Sequence, residues 1–229
     1  MKILLINPNS SEAMTADIKK SAAYAENESV SIDVVRMPGS PHVLESFADY
    51  TEAGREVVKY LRELNRDGVF PYDGVVLACM GDPCLFGVKE ACPVPLVGIA
   101  ESAISLALLT GYKFTIVAAS SKAKPMMDSM VLQYGLTARM ASVEALDQPI
   151  DAFMENPDIL REGIRRISRT AKEKGAEVLL LGCAGMTMLT EEMDQLSDLP
   201  VIDPVIAGIE EIQAILRGGF KLSRAGLYQ

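Results

Sequence analysis

Two short apolar runs in this chain break off in the same way. Val75-Val76-Leu77-Ala78 ends in Cys79-Met80-Gly81-Asp82-Pro83, and Val178-Leu179-Leu180-Leu181 ends in Gly182-Cys183-Ala184-Gly185-Met186. Each run has the length and composition of a strand buried on both faces, so each thiol falls where a strand stops and a helix begins. In open α/β sheets that position, outside the carboxyl end of a strand, is where ligands bind, and a helix N-terminus there lowers a thiol's pKa. The two cysteines are 104 residues apart. Ser10-Ser11 and Ser120-Ser121 are 110 apart, and Pro95 and Pro200 are 105 apart. A nearly constant offset across three landmarks points to a duplicated βα unit.

The segments between these landmarks alternate in period. Strands are expected over 2–6, 31–35, 75–78 and 93–99, with helices over 12–25, 51–65 and 101–110. Asn7-Pro8-Asn9-Ser10-Ser11 supplies caps for the first helix, and Val57, Val58, Leu61 and Leu64 keep helical spacing in the second. The order then starts again, with strands over 113–117, 137–143, 178–181 and 199–204 and helices over 126–134, 158–174 and 207–216. Alternating strands and helices imply parallel sheets covered on both faces. The expected fold is therefore α/β: two similar flavodoxin-like lobes related by a pseudo-twofold repeat, with the active site in the cleft between them. Residues 1–99 form the N-terminal lobe and 100–206 the C-terminal lobe. The last segment, about 207–229, returns to the first lobe, because it holds the place that 101–110 holds in the first half.

Composition narrows the function. The chain has 229 residues, 49% of them apolar, and a formal net charge of -9 with no cluster of five basic residues. That balance argues against nucleic acid or an anionic membrane as partner and leaves a small molecule. Ile3 to Ile6 is too short for a signal-peptide core, and no 18 apolar residues run together. Four cysteines without regular spacing fit reduced thiols, so a cytoplasmic protein is expected.

Two thiols facing each other across a cleft have a specific use. One takes a proton from one face of a carbon while the other returns a proton to the opposite face, which inverts the carbon. If each sulfur approaches that carbon at about 3.5 Å, the two lie roughly 7 Å apart, too far for a disulfide. Cys79 and Cys183 are the catalytic candidates, and the scheme requires no cofactor. Gly81, Gly182 and Gly185 allow backbone N–H groups close to a carbonyl that gains charge, with Met80 and Ala184 beside them. Asn9 is a ligand candidate because its amide both donates and accepts. Ser10, Ser120 and Ser121 are candidates at the equivalent strand ends, and Glu45 is a further one.

Other residues read more plainly. Cys84 and Cys92 have no counterpart in the second half and are taken as structural. A Cys79 and Cys84 metal pair lacks further ligands in a chain with one histidine, His42, which reads as a surface loop residue. Met126, Met127 and Met130 are helix-spaced and read as core. Gly81 and Gly185 form no phosphate-binding fingerprint.

These segments resemble the aspartate/glutamate/hydantoin racemase superfamily, and within it the hydantoin and allantoin racemase branch. The resemblance rests on Ile6-Asn7-Pro8-Asn9-Ser10-Ser11, the Glu45-Ser46 loop, Ala78-Cys79-Met80-Gly81-Asp82-Pro83, Val97-Gly98-Ile99-Ala100-Glu101, Leu181-Gly182-Cys183-Ala184-Gly185-Met186 and Val201-Ile202-Asp203. It implies cofactor-independent racemisation by Cys79 and Cys183 in a cleft between two lobes, and a homo-oligomer. The amino-acid racemases of the superfamily tend to follow the first cysteine with Asn-Thr and the second with Thr-His. Here Met80-Gly81 and Ala184-Gly185 stand instead, which suits a neutral ring held by backbone amides better than a dicarboxylate. Met80 also stands where the branch commonly has Phe, and Cys84 where it commonly has Gly. The alternatives left open are an amino-acid racemase, an arylmalonate decarboxylase or maleate isomerase-like enzyme, and a non-catalytic small-molecule-binding α/β protein.

Overall fold

The first four strands, β1 (Lys2–Asn7), β2 (Ser31–Arg36), β3 (Gly74–Leu77) and β4 (Leu96–Gly98), form an all-parallel sheet in the order β2-β1-β3-β4. The next four, β5 (Phe114–Ala118), β6 (Met140–Ala145), β7 (Val178–Leu181) and β8 (Val201–Ile202), repeat it as β6-β5-β7-β8. The structure is a computed structural model that describes residues 1–149, 152 and 155–228. Its helices are α1 (Glu12–Ala23), α2 (Phe47–Leu64), α3 (Leu85–Ala91), α4 (Ile99–Thr110), α5 (Lys124–Gln133), α6 (Pro157–Glu173), α7 (Met193–Leu196) and α8 (Pro204–Arg217). Among the described residues no helix is long and apolar enough to cross a membrane.

Alternation along the strands sets the layers. Ile3 and Leu5 of β1 enter a core that continues through Val76, Ile116, Val178 and Leu180 into the second lobe. Leu4 and Ile6 point the other way, onto Val57 and Leu61 of α2 and Leu85 and Val88 of α3. Both faces of each central strand are thus covered, as a parallel sheet requires.

The helices that follow the two last strands are exchanged between lobes. α4 leaves the first sheet and packs against β5, β7 and β8 of the second, while α8 packs against β3 and β4 of the first. The two helices also pack on each other. Gly208 makes this approach possible: a Cβ there would lie 2.9 Å from Ile99 Cγ2 and 2.9 Å from Val76 Cγ1, both stiff branched side chains. Gly74, on β3, is likewise roofed by Ile212 and Leu216 of α8.

Local chemistry moves several boundaries from those expected. α2 starts at Phe47 rather than near 51, because the Ser46 hydroxyl accepts from Asp49 N at 3.1 Å and caps the helix early. α4 starts at Ile99, since the Glu101 carboxylate reaches back to the N–H of Gly98 at 3.0 Å. The strand expected over 137–143 begins only at Met140; Gly135, at φ 71°, ends the preceding helical stretch and Thr137–Arg139 forms a 3-10 turn. No helix follows Cys79 directly, because α3 begins at Leu85, and Cys183 leads into a 3-10 segment, Ala184–Glu192.

The contact between α4 and α8 is open to a stability test. Replacing Gly208 with valine overfills it and is expected to cost about 1–3 kcal/mol in urea unfolding. Gly87→Ala, at an exposed helical site with open space around it, is expected to stabilise by roughly 0.5–1 kcal/mol. An unchanged midpoint for Gly208→Val would mean that α8 is not seated there.

Candidate active site

Register brings the strand ends together. Ile6 pairs with Leu77 across β1 and β3, and Val117 pairs with Leu181 across β5 and β7. In each sheet the chain leaves these two adjacent strands toward opposite sides, and that switch point opens a crevice at their carboxyl ends. The two crevices merge into one cleft. The first lobe lines it with Asn9, Met14, Leu44, Glu45, Tyr50 and residues 78–81, and the second with Ala119, Ser120, Ala123, Met126, Met127 and residues 182–184.

Cys79 and Cys183 therefore face the same cleft, one from each lobe, as free and partly buried thiols. Asn9, Glu45, Met80, Gly81, Ser120, Gly182 and Ala184 line it with them, whereas Ser10, Ser121 and Gly185 are not among the lining residues. Ser10 is drawn to the loop behind, where its N–H donates to the Pro41 carbonyl at 3.1 Å. Ser121 is exposed, and its N–H donates to Asp147 Oδ1 at 2.8 Å. Gly185 is buried behind Cys183.

The glycines act on the sulfurs. Gly185 N–H donates to Cys183 Sγ at 3.4 Å, and Gly81 N–H bonds the Cys79 sulfur in the same two-residue relation. Those amides hold charge on sulfur and are not aimed at a substrate oxygen. Gly182 has a different reason to be glycine, because a Cβ there would overlap the Val117 carbonyl that its own N–H bonds at 2.9 Å. Asn9 is also largely committed. Its Oδ1 accepts from Asn7 Nδ2 at 2.8 Å and from Ser11 N at 2.9 Å, and its Nδ2 donates to Met14 Sδ at 3.1 Å. Its acceptor is filled, so it shapes the wall and keeps a single spare donor hydrogen.

Tyr50 is the side chain that sequence reasoning passed over. Its hydroxyl bonds the Cys79 thiol and lies close enough to Cys183 to feel its charge. It rests on the bare Cα of Gly81, where a Cβ would collide with it. The available signal was its position four residues after Ser46, on the inward turn of a capped helix. Met126 and Met127 were read as core; both are buried, and both also form cleft wall. Leu44, Ala119 and Ala123 extend this apolar lining.

The expected lowering of the thiol pKa values is reversed. Burial pushes Cys79 up to about 12, with the neighbouring negative charge on Cys183 and Asp82 adding to it and the Gly81 N–H and Tyr50 hydroxyl opposing. Burial likewise pushes Cys183 up to about 11, helped by the Glu45 carboxylate and opposed by the Gly185 N–H. The helix N-terminus that would have lowered Cys79 is absent for a backbone reason. Asp82 and Cys84 adopt left-handed φ values of 41° and 55°, which delays α3 to Leu85. For non-glycine residues this costs on the order of 1 kcal/mol each.

The site is thus a largely apolar cleft with two thiols that are neutral at rest, few side-chain donors and, among the described lining residues, no cationic side chain. Comparison with known proteins bears on the family. The family described as Asp/Glu/Hydantoin racemase matches residues 3–212. A hydantoin racemase of Paenarthrobacter aurescens is 33% identical over 230 residues, covering 100% of this chain and 97% of that protein. The structure of an allantoin racemase from Klebsiella pneumoniae superposes with a TM-score of 0.91 at 30% identity, over 100% of this chain and 92% of that one. An arylmalonate decarboxylase shares the fold, with a TM-score of 0.68 at 17% identity over 99% of this chain and 97% of that one. The chain belongs to the Asp/Glu/hydantoin racemase family, in its hydantoin and allantoin racemase branch, and is an isomerase of that family.

Proposed function

We propose that this racemase inverts C5 of a hydantoin-type ring, a 5-substituted hydantoin or allantoin, without a cofactor, with Cys79 and Cys183 as the two proton-carrying groups. The observation that carries this reading is the pair of thiols brought from equivalent strand ends of the two lobes into one cleft. One cysteine, as thiolate, takes the C5 proton; the electron pair moves onto the ring carbonyl as an enolate; the other cysteine, as thiol, gives its proton to the opposite face. Either sulfur plays either part, depending on the enantiomer. The N–H groups of Gly81 and Gly185 stabilise whichever sulfur is charged. The Ser120 hydroxyl and the spare Asn9 amide hydrogen are the side-chain donors left for the ring, since the Tyr50 hydroxyl is engaged with Cys79.

The wall chemistry favours a neutral ring over an acidic amino acid. A dicarboxylate would enter a cleft lined by Met14, Leu44, Met126 and Met127 and by the Glu45 carboxylate, with no lysine, arginine or histidine among the described lining residues to offset its charge. A hydantoin carries no carboxylate and meets no such penalty. The serine and histidine that an alternative hydrolytic site would need are not assembled here, since His42 is exposed and outside the cleft.

Two measurements test this. Enantiopure allantoin and a 5-alkyl hydantoin are incubated in deuterated water and followed by chiral chromatography, corrected for spontaneous racemisation. The wild type is expected to invert at least one ring with deuterium uptake and to leave aspartate unchanged. Cys79→Ser and Cys183→Ser are each expected to lose about 10²-fold or more of the inversion rate. Inversion by either variant within tenfold of wild type, or a wild type inactive on both rings, would contradict the proposal. The second measurement is the pH profile. Both thiols sit near or above pH 11 in the free protein, so below that pH the thiolate fraction, and with it kcat/KM, is expected to rise about tenfold per pH unit. A flat profile from neutral to mildly alkaline pH would mean that the active base is already ionised there.

A further inference from the structure

Asp82 stands three residues beyond Cys79 in the same tight loop. Its N–H donates to the Cys79 carbonyl at 2.9 Å, and its own carbonyl accepts from Leu85 N at 3.1 Å. Its side chain does not line the cleft, and the residue is buried. The carboxylate instead accepts three hydrogen bonds. Ala100 N–H donates to Oδ1 at 3.1 Å, Glu101 N–H to Oδ2 at 2.8 Å, and the Tyr134 hydroxyl to Oδ2 at 2.6 Å. Ala100 and Glu101 are in the first turn of α4, the helix that packs on the second sheet. Tyr134 follows α5, an element of the second lobe. Gly98 is bare because the Asp82 carboxylate occupies the space a Cβ would take. One side chain thus ties the loop that carries Cys79 to two elements seated on the lobe that carries Cys183.

We infer that Asp82, tied by Tyr134, is a positioning residue that fixes Cys79 across the cleft from Cys183. Its left-handed φ of 41° fits this role, since such a conformation persists at a non-glycine residue only where its surroundings over-determine it. Burial and the nearby Glu101 carboxylate push the Asp82 carboxyl up to about 7, and the three donors oppose that shift. On the other side of the cleft the Ser21 hydroxyl, from α1 of the first lobe, bonds the Thr187 hydroxyl at 2.8 Å, and Thr187 in turn bonds Asp203, the N-cap of α8. The loop after Cys183 therefore has its own tether between lobes, and the two can be loosened separately.

The inference rests on the two-thiol reading above, and its test separates the two. Loss of the Tyr134 hydroxyl displaces Cys79 and leaves Cys183 in place. Cys183 thiolate then still takes the C5 proton from the enantiomer that faces it, the S–H exchanges with solvent, and the deuteron returns to the same face. Deuterium uptake with retention continues while inversion fails. For Tyr134→Phe, inversion is expected to fall about tenfold or more, with uptake into the Cys183-facing enantiomer within about twofold of wild type and KM little changed. Ser21→Ala is expected not to shift the ratio of uptake to inversion in that direction. Equal falls in inversion and in both uptakes for Tyr134→Phe, no change in any of them, or the same shift from Ser21→Ala, would overturn the assignment. If the wild type inverts neither ring, the substrate reading has failed, and thiol reactivity decides. Alkylation by iodoacetamide, read by mass spectrometry, is expected to be faster at Cys79 relative to Cys183 in Tyr134→Phe than in wild type. An unchanged ratio would overturn the positioning role.

Discussion

The exchange of α4 and α8 between the two lobes is the contact on which the cleft depends. A parallel sheet presents its chemistry at the carboxyl ends of its strands, and a single lobe of four strands would leave that edge open to water. Because α4 crosses to the second sheet and α8 returns to the first, neither lobe completes its core alone. Gly208 on α8 lets Ile99 at the start of α4 and Val76 on β3 approach to contact distance, so the same helix face that buries apolar surface also sets how the two strand-end crevices meet. The thiols inherit their relation from that contact.

Enclosure has a chemical consequence. Burial pushes both thiols up, to about 12 and about 11, so neither is a standing thiolate, and a neutral pair does not repel itself across the cleft. A strong base is what an only moderately acidic carbon needs, and in such a mechanism one sulfur must be charged while the other still carries its proton. The two-residue step from each cysteine to a glycine N–H provides for the charged member on either side. The walls add little polarity of their own, which selects for a substrate that arrives uncharged and becomes charged only as its proton leaves.

The repeat, the two thiols and the α/β class were legible because they rest on local patterns: apolar strand runs, turn residues and a fixed offset. What stayed hidden depends on where the chain puts residues after those elements form. Tyr50 reaches Cys79 only because the Ser46 cap starts α2 early and Gly81 leaves room for the hydroxyl. Met126 and Met127 have the spacing of core residues and are buried like core residues, so no local pattern marks the wall they also form. The glycines beside the cysteines were recognisable as close-approach positions, yet their amides turn to sulfur rather than to a ligand. The thiol pKa was misjudged in sign, because burial raises both thiols and, at Cys79, two left-handed residues also hold back the helix that would have opposed it. Asp82 lay in plain view in the first motif, and only the fold supplies its partners Ala100, Glu101 and Tyr134.

The claim that one cysteine serves each face of the substrate is tested most directly by deuterium uptake resolved by enantiomer in the two single variants. Each pure enantiomer of a ring that the wild type inverts is incubated in deuterated water with Cys79→Ser or with Cys183→Ser, and uptake is read by mass spectrometry before any inversion accumulates. The account predicts a crossed result: each variant labels only the enantiomer whose hydrogen faces the remaining thiol, and the two variants label opposite enantiomers. Uptake into the same enantiomer by both variants, or into both enantiomers by either one, would contradict it.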